Sequence, residues 1–330
     1  MADNGKKSRP RTAGERELIA AIRRRADQLL KGRRKGGILT LGIGDDCAVL
    51  RPRRGEELVV TTDLSLENVH FRRDWHPPQS VGHRCLARGL SDLAAMGARP
   101  EAAFLSLALP PDLTTSWMDL FLDGFMALAQ RCRVPLAGGD MAKSPLVIAD
   151  IVLLGSVPKG KALLRSGARA GDLIYVTGAL GGSAAELRAL ERQPSAFQAA
   201  DKLRHPHLYP EPRLSAGREL RRLATAAIDV SDGLSTDLAH LCEESGLAAE
   251  IDAETLPVDA RATLEQALHG GEDYELLFTA SPKTPVPGQL GGVLTHAIGR
   301  MKKRGKRPQV AMNQGNTRSE LAPAGWEHFR

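Results

Sequence analysis

Carboxylate side chains stand next to glycine, serine or threonine at six places in the chain. The six segments are GIGDD with Asp45 and Asp46, VVTTD with Asp63, GLSD with Asp92, LAGGD with Asp140, IDVSD with Asp229 and Asp232, and HGGED with Glu272 and Asp273. Small neighbours let an anion or a hydrated cation approach the backbone, and carboxylates are the hard oxygen ligands that Mg²⁺ prefers. The pattern indicates a site that binds a phosphate compound through Mg²⁺. Because aspartate also caps helices and forms turns, each of these residues taken singly has a structural explanation as well.

Other patterns for phosphate binding or hydrolysis are missing from the sequence. It contains no GxxxxGKS or GxxxxGKT and no GxGxxG, which excludes a P-loop and the dinucleotide fingerprint, and it has no GxSxG or HExxH. The segment GALGGS at 178–183 opens a predicted helix and could offer backbone N–H groups to an anion, with a plain turn as the alternative. His70 lies in the irregular segment NVHFRRDWH, and an isolated histidine is usually structural.

Hydrophobic periodicity places the carboxylates at the ends of predicted strands and helices. Strand patterns are GILTLGIG, CAVLRP, ELVVTTDLSLE, EAAFLSLALP, PLAGG and LVIADIVLLGSV in the first half, and DLIYVTG, AAIDV, AAEID, YELLFTA and VLTHAIG in the second. Helical patterns are ERELIAAIRRRADQLL, VGHRCLARGLSDLAAMG and TSWMDLFLDGFMALAQRC, then GSAAELRALERQ, RLSAGRELRRLA, SDGLSTDLAHLCEESG and DARATLEQALHG. In the first half, two helices could cover one face of a sheet, and the second half alternates as in α/β or α+β domains. The turn-rich segment 158–172 is the predicted boundary.

Length and composition limit the class of protein. A chain of 330 residues suffices for about two domains, and 42% apolar with 25% charged residues is typical of a soluble globular protein. No apolar run approaches the roughly 20 residues that span a bilayer, and the first residues lack the apolar stretch of a secretory signal. We therefore expect a cytoplasmic protein without a membrane partner. Its four cysteines form no CxxC pair and are expected to be reduced thiols.

The formal charge of +6 is concentrated in two segments. Residues 1–40 hold twelve basic and four acidic residues, and RMKKRGKR at 300–307 holds six basic residues and no acid. Proteins that bind single-stranded nucleic acid usually interleave aromatic residues that stack on the bases, and neither segment has any. The two segments are therefore predicted to be a solvated tail and a solvated loop, and we do not expect a nucleic-acid partner.

Seven segments, taken in order, resemble the motif set of the thiamine-monophosphate kinase family. They are GIGDDCAVL, TTDLSLENVHF, LSDLAAMGARP, GGD, LLRSGARAGDLIYVTG, AIDVSDGLSTDL and GGEDYELLFT. The resemblance extends from about residue 15 to the GWEHF near the C-terminus, nearly the whole chain. This family is part of the superfamily of aminoimidazole-ribotide synthetase, selenophosphate synthetase and the hydrogenase-maturation ATPases.

The resemblance implies a two-domain α/β (α+β) fold and a kinase activity. Residues 15–158 would form an N-terminal α/β domain that binds ATP and Mg²⁺ and contributes strands to a barrel shared with the partner subunit of a homodimer. Residues 159–330 would form a C-terminal α/β domain that covers the nucleotide cleft. Residues 1–14 precede the resemblance, and their basic charge predicts a disordered tail. The implied reaction is the ATP-dependent phosphorylation of thiamine monophosphate to thiamine diphosphate, the last step of thiamine diphosphate biosynthesis. Several Mg²⁺ ions would assist a direct in-line transfer that needs no general base.

The motif positions that match the family imply three groups of site residues. The Mg²⁺ ligands would be Asp46, Thr61, Thr62, Asp63, Asp92, Asp140, Asp229 and Asp232. The ATP contacts would be Gly139, Asp140, Arg165 and Ser231, and the thiamine-monophosphate contacts His70, Glu272 and Trp326. The chain departs from the family pattern at Met141 and Ala142, where hydroxyl residues often follow GGD, and at Gly89, where asparagine is common. Neither departure removes a carboxylate, so they concern the fine geometry of the site.

Other interpretations stay open at the level of the sequence. Selenophosphate synthetase and aminoimidazole-ribotide synthetase are alternatives within the superfamily, but the NVHF and GGEDYELLF segments argue against both. A catalytically silent nucleotide sensor or a nucleic-acid-binding protein on the same scaffold has only the basic N-terminus in its favour. Trp326 would be either an aromatic wall beside a ring of the thiamine group, attracting the thiazolium by a cation-π interaction, or a C-terminal packing anchor.

Overall fold

The computed structural model describes residues 14–31, 37–193, 205–305 and 309–328, so the predicted basic tail and most of the irregular segment 194–212 lie outside the described residues. The helices are α1 Glu15–Lys31, α2 Pro78–Ala95, α3 Thr115–Cys132, α4 Gly182–Arg192, α5 Leu214–Leu220, α6 Leu234–Glu244 and α7 Leu264–His269. The strands are β1 Leu39–Leu41, β2 Val49–Leu50, β3 Glu56–Leu66, β4 Arg99–Leu109, β5 Leu136–Gly138, β6 Met141–Lys143, β7 Ile148–Pro158, β8 Leu173–Thr177, β9 Ala226–Asp229, β10 Leu247–Asp252, β11 Leu276–Ala280, β12 Gln289–Leu290, β13 Val293–Lys303, β14 Val310–Gln314 and β15 Thr317–Glu320. None of the described helices is long and apolar enough to cross a membrane.

The first sheet has the strand order β3-β7-β4-β5, with β6 also paired to β4. Strand β7 is antiparallel to both β3 and β4, whereas β5 and β6 run parallel to β4. Side chains alternate along β3, so that Thr61 and Asp63 are half-buried on the side that carries α2, while Val60 and Leu64 are exposed on the opposite side. One face of this sheet is therefore covered by helices and the other is exposed and partly apolar.

Helix α2 lies on β3 and β7, and α3 packs against α2. The two helices cross at very short range, since a Cβ atom at Gly82 would lie 2.0 Å from the carbonyl oxygen of Phe121 and one at Gly124 would lie 1.9 Å from that of Gln79. Only residues without a side chain permit this approach. The crossing fixes the position of α2, which carries Asp92 in its last turn.

The second sheet is mixed and has the strand order β15-β14-β10-β13-β8-β11-β9, with β12 paired to β13. Helix α6 contacts β9, β10, β11 and β14, and α7 packs against α6. Strand β9 lies at one edge of the sheet and ends at Asp229. Two sheets that each carry helices confirm the predicted two-domain α/β fold class.

The two halves of the chain share part of one hydrophobic core. Buried residues of α5 and β9 belong to the same cluster as those of α2. At the crossing of α5 and α2, a Cβ atom at Gly217 would lie 2.0 Å from the carbonyl oxygen of Ala94. Because α2 also contacts β9, the end of α2 and the end of β9 are held next to each other.

Several sequence-based expectations differ from the structure. The predicted loop at 300–307 is a strand as far as Lys303, because Met301 is fully buried and the segment pairs with β10, while residues 306–308 lie outside the described part of the chain. Helix α7 is shorter than predicted, because its capping box at Thr263 starts the helix after a turn. Strands β6, β12, β14 and β15 were not predicted. Asp63 lies in the middle of β3 rather than at a strand end, since the ladder with β7 continues to Leu66.

Candidate active site

Three aspartates from three elements converge where the two domains meet, and we call Asp63, Asp92 and Asp229 the carboxylate cluster. They belong to β3, α2 and β9. Burial and the charge of Asp92 raise the pKa of Asp63, and Arg88, whose Nη2 lies 3.6 Å from Asp63 Oδ1, opposes that increase. Burial and the charge of Asp92 also raise the pKa of Asp229. The three carboxylates are thus close enough to repel one another, and a cation bound among them would remove the repulsion.

Two hydroxyl groups join the elements that carry the cluster. Thr61 Oγ1 donates a hydrogen bond from β3 to Asp92 Oδ2 on α2. Ser91 Oγ donates a 2.7 Å hydrogen bond from α2 to Asp229 Oδ2 on β9. Residues of the N-terminal half therefore help to orient a carboxylate of the C-terminal half.

A cleft of about 250 Å³ opens beside the cluster. Its polar lining consists of Thr61, Asp92, Arg165 and Asp229, and the other lining residues are apolar. Burial raises the pKa of Asp92 and Asp229, and the positive charge of Arg165 partly offsets this increase. The cleft therefore combines oxygen ligands for a metal ion with a cation that could meet a phosphate group.

The turn between β9 and α6 is built around Asp237, which the sequence analysis did not single out. Asp237 is buried, and its Oδ2 accepts hydrogen bonds from the backbone N–H groups of Ser231, Asp232 and Gly233, each at 3.1 Å. The carboxylate thereby fixes the backbone of Ser231 and Asp232, two predicted site residues. An available signal was the position of Asp237 near the start of a predicted helix, where an acidic side chain meets unpaired N–H groups. Asp232, Asp237 and His240 also place one ligand atom each within 4.8 Å of one another.

The remaining predicted aspartates lie on exposed loops. Asp140 follows Gly139, where φ is +154° and a Cβ atom would lie 1.8 Å from the carbonyl oxygen of Leu105, so this position requires glycine. The Oδ1 of Asp140 accepts a hydrogen bond from the backbone of Met141 at 2.8 Å. Asp46 lies between β1 and β2. Among the side-chain hydrogen bonds and ion pairs of the described residues, neither aspartate contacts the carboxylate cluster.

Glu272 is held by basic residues from both halves of the chain. Its Oε1 accepts a 2.6 Å hydrogen bond from Arg84 on α2, and its Oε2 lies 3.5 Å from His207 Nδ1. Burial alone would raise the pKa of Glu272, but the charge and hydrogen bond of Arg84 hold that pKa well below its usual range. Arg84 also donates to the carbonyl oxygens of His70 and His207. The sequence analysis missed Arg84 and His207, because only their contacts distinguish them from surface residues.

His70 lies beside Arg84 and Arg88 in the same region. Its Nδ1 accepts a hydrogen bond from the backbone N–H of Leu66 at 3.0 Å. Burial, and then the charge of Arg88, lower the pKa of His70 to about 4. The imidazole is therefore neutral at pH 7, with its proton on Nε2.

The C-terminal segment reaches this region. The rings of His70 and His328 have centroids 5.2 Å apart, and the ring of Trp326 lies edge-on to His328 at 5.7 Å. The backbone N–H of Trp326 donates to the carbonyl oxygen of Asp232 at 3.0 Å. Trp326 is 52% exposed, so it is not a buried packing anchor.

Two predicted positions have a different environment from the one expected. The hydroxyl of Thr62 donates to Asp150 at 3.0 Å, and alternation along β3 places it on the face opposite Thr61, away from the carboxylate cluster. In the GALGGS turn, the backbone N–H groups of Gly181 and Ser183 donate to the carboxylate of Asp273 at 2.7 and 3.1 Å. These two groups are therefore not available to bind the anion of a ligand.

The departures from the family pattern lie on helix α2 and strand β6. A Cβ atom at Gly89 would lie 2.8 Å from Leu153 Cδ1 on β7 and in ordinary contact with Thr61 Cγ2 at 3.5 Å, so a larger residue there would require the Leu153 side chain to move. Met141 and Ala142 form the start of β6, parallel to Leu107 and Ala108 of β4. Their side chains offer no hydroxyl next to Asp140.

Comparison with known proteins places this site in a family. Two sequence-family models match the chain, that of the AIR synthase related protein, N-terminal domain, over residues 44–157 and that of the C-terminal domain over residues 169–306. The thiamine-monophosphate kinase of Escherichia coli (strain K12) is 43% identical over 272 residues, which cover 79% of this chain and 81% of that protein. The chain belongs to the thiamine-monophosphate kinase family. This membership confirms the resemblance found in the motifs.

Solved structures of the thiamine-monophosphate kinase family have the same fold. The crystal structure of thiamine-monophosphate kinase from Stenotrophomonas maltophilia K279a matches with a TM-score of 0.78 and 37% identity, over 91% of this chain and 96% of that chain. AaThiL, solved in complex with AMPPCP and TMP, matches with a TM-score of 0.74 and 30% identity, over 96% of this chain and 97% of that chain. The likeness therefore extends over both domains.

Proposed function

We propose that this member of the thiamine-monophosphate kinase family transfers the γ-phosphoryl group of ATP to thiamine monophosphate, giving ADP and thiamine diphosphate. The observation that carries the proposal is the carboxylate cluster, in which aspartates from both domains meet beside a cleft. Support also comes from AaThiL, a family member that was solved with AMPPCP and TMP bound.

The oxygen-rich donor set at the cluster fits Mg²⁺. Asp63, Asp92, Asp229 and Asp232 would hold the ions, with Thr61 orienting Asp92. Asp46 and Asp140 would add ligands from their loops. When bound, Mg²⁺ neutralises phosphate oxygens and keeps the reacting groups in line. The mutual repulsion of the buried carboxylates is the physical reason to expect a cation here.

The nucleotide would lie along the cleft lined by Arg165. Gly139 allows the backbone before Asp140 to pass close to β4, and the turn at Ser231 is fixed by Asp237. Arg165 would therefore offer a guanidinium group to the phosphate chain, and Ser231 a hydroxyl group. Gly139 would let the phosphate chain approach the backbone closely.

Thiamine monophosphate would bind on the other side of the cluster, next to His70, Glu272 and Trp326. Arg84 keeps Glu272 anionic, and the thiazolium ring of thiamine carries a permanent positive charge, so the two attract each other. The half-exposed ring of Trp326 would add a cation-π contact.

The transfer needs no general base. A phosphate monoester has its second pKa near 6, so an oxygen of the acceptor phosphate already carries negative charge at neutral pH. That oxygen would form the new bond to the γ-phosphorus while the bond to the β-phosphate oxygen breaks and ADP leaves. What the protein must supply is alignment and charge neutralisation, which agrees with a site made of carboxylates and arginines rather than a catalytic base.

The exposed face of the first sheet would form the interface of a homodimer. Val60 and Leu64 of β3 are 64% and 46% exposed on this face, and Leu58 of the same strand is 39% exposed. Exposed apolar side chains on one face of an edge strand favour burial against a second copy. Sedimentation of the full chain would test this, with Val60→Asp expected to produce a monomer.

The function is tested by the release of ADP from ATP and Mg²⁺ with and without thiamine monophosphate. The proposal expects ADP release that depends on the acceptor. Nucleotide binding without any ADP release would instead identify a nucleotide sensor. ADP release at the same rate with and without thiamine monophosphate would identify a different enzyme of the superfamily.

A further inference from the structure

A small cavity of about 10 Å³ lies between β3 and α2, next to the carboxylate cluster. It is lined by Ser65, His70, Phe71, Val81, Arg84 and Arg88. A space of this size admits about one oxygen atom. The side chains of Arg84, Arg88 and His70 bring hydrogen-bond donors to this lining, and His70 is neutral at pH 7.

Two buried hydrogen-bond donors on this lining have no partner among the described residues. One is Nη1 of Arg88, and the other is Nε2 of His70. His70 accepts the N–H of Leu66 at Nδ1, so its proton is on Nε2 and this atom is a donor. Leaving a buried donor unpaired costs free energy, and two such donors on one cavity call for an acceptor oxygen.

Arg88 also connects the two parts of the site. It lies one helical turn before Asp92 on α2, and its Nη2 is 3.6 Å from Asp63 Oδ1. Its charge acts on Glu272 as well as on Asp63. The guanidinium group thus stands between the carboxylates proposed to hold metal and the residues proposed to hold thiamine.

We infer that Arg88 binds the phosphate group of the acceptor, with one phosphate oxygen accepting hydrogen bonds from Arg88 Nη1 and His70 Nε2. The inference rests on the proposed function and assigns to Arg88 a role that the motif comparison did not give it. Arg84 is less suited to this role, because its Nη1 and Nη2 groups already donate to Glu272 and to the carbonyl oxygens of His70 and His207. The two arginines therefore have separate tasks, since Arg84 holds Glu272 and Arg88 holds the acceptor phosphate.

The test compares two ligands that differ only in the phosphate group. Binding of thiamine monophosphate and of thiamine to the full chain is measured by calorimetry with Mg²⁺ and AMPPCP present. Arg88→Met is expected to weaken the binding of thiamine monophosphate by about 10- to 100-fold, because a hydrogen bond to a charged group is lost. It should leave the affinity for thiamine within about twofold. Arg88→Lys, which keeps the charge, should recover part of the loss.

Two results would overturn the inference. If Arg88→Met weakened both ligands equally, or neither, the donors would serve the internal structure only. If the variant changed only the Mg²⁺ concentration needed for half-maximal activity, Arg88 would serve to balance the charge of Asp63. His70→Phe provides an independent test if Arg88→Met does not fold, because it removes the second donor. It should also weaken the binding of thiamine monophosphate more than the binding of thiamine.

Failure of the inference is distinguishable from failure of the proposed function. If the unmodified protein neither prefers thiamine monophosphate to thiamine nor releases ADP with it, the function itself is wrong. If the unmodified protein does both and Arg88→Met retains the preference, only the role of Arg88 is wrong.

Discussion

The hydroxyl of Ser91 on α2 donates a 2.7 Å hydrogen bond to the carboxylate of Asp229 on β9. The acceptor is 3% exposed and ends the edge strand of the second sheet, whereas the donor precedes Asp92 in the helix that covers the first sheet. One hydrogen bond therefore joins the two domains at the place where their carboxylates meet. The site therefore forms where the two domains meet, and neither domain alone contains all of its carboxylates.

The buried Asp229 should make the metal-free protein less stable as the pH rises. Burial and the charge of Asp92 raise the pKa of Asp229 from the ordinary 3.8 to about 7. Between these values the folded chain keeps a proton that the unfolded chain has released, so stability is present at low pH and is lost as the pH rises towards 7. Asp229→Asn should therefore raise the free energy of unfolding at pH 8 in EDTA, by on the order of 2 kcal/mol.

Urea unfolding at pH 4 and pH 8 measures this effect. The stability difference between the variant and the unmodified protein should nearly vanish at pH 4, and added Mg²⁺ should stabilise the unmodified protein more than the variant. A variant that is less stable than the unmodified protein at pH 8 in EDTA would show that Asp229 is not repelled by its neighbours.

Asp92→Asn should abolish turnover while leaving the fold intact. The change keeps the size of the side chain but removes a charged ligand, and several kcal/mol of charge stabilisation depend on the metal, so kcat should fall by more than about 100-fold. Asp46→Asn should behave similarly if its exposed loop contributes to the metal site. Activity at saturating Mg²⁺ and thermal unfolding are the measurements.

Asp119→Asn is the matched control for these two variants. Asp119 lies on α3 and pairs with Arg25 at 3.0 Å on the surface, so its loss should leave activity unchanged. Near-normal activity of Asp92→Asn would contradict the assignment of the carboxylate cluster, whereas near-normal activity of Asp46→Asn would remove only that residue from the ligand set.

Asp237→Ala should weaken both the fold and the binding of ATP. It leaves the backbone N–H groups of Ser231, Asp232 and Gly233 without their acceptor, at a cost of about 2 to 4 kcal/mol in the free energy of unfolding. The KM for ATP should rise as the turn loosens. Asp172→Ala is a comparable variant, because Asp172 is buried and accepts a backbone N–H from Arg169 at 2.9 Å. It should destabilise the protein without raising the KM for ATP, and an equal rise in both variants would mean that the effect is only one of stability.

Trp326→Ala should raise the KM for thiamine monophosphate by about 3- to 30-fold, through loss of a cation-π contact with the thiazolium ring. The KM for ATP should change little, and Trp326→Phe should keep most of the affinity. Steady-state kinetics with each substrate varied in turn measures the split. Equal changes in both KM values would favour a packing role for the C-terminal segment.

The sequence allowed most of the helices and strands to be predicted, because these depend on local patterns. The IDVSD segment, for example, lies at the end of β9 as its flanking residues indicated. The face of Thr62 was also predictable, since a period of two along β3 separates it from Thr61 and Asp63. Strand β14 was not predicted, because its sequence VAMNQ is short and shows no alternation of apolar and polar residues.

Contacts between distant segments account for the site residues that the sequence did not show. In the sequence, Arg84 and Arg88 cannot be told from arginines on the surface of a helix. Only the folded chain places them beside Glu272 and Asp63. Asp237 is the exception, because it accepts from backbone N–H groups four to six residues before it, and its position near the start of a predicted helix was the available signal. Hydrophobic periodicity predicts helices and strands one at a time. It therefore does not show that residues of two domains form one site.

The central claim is tested most directly by following the γ-phosphoryl group of ATP. The full chain is incubated with ATP labelled at the γ-phosphate, Mg²⁺, and either thiamine monophosphate or thiamine, and the products are separated. The prediction is labelled thiamine diphosphate formed in equal amount to ADP with thiamine monophosphate, and no labelled product with thiamine. Label that appears as free inorganic phosphate, or ADP formation that is the same with either acceptor, would contradict the claim.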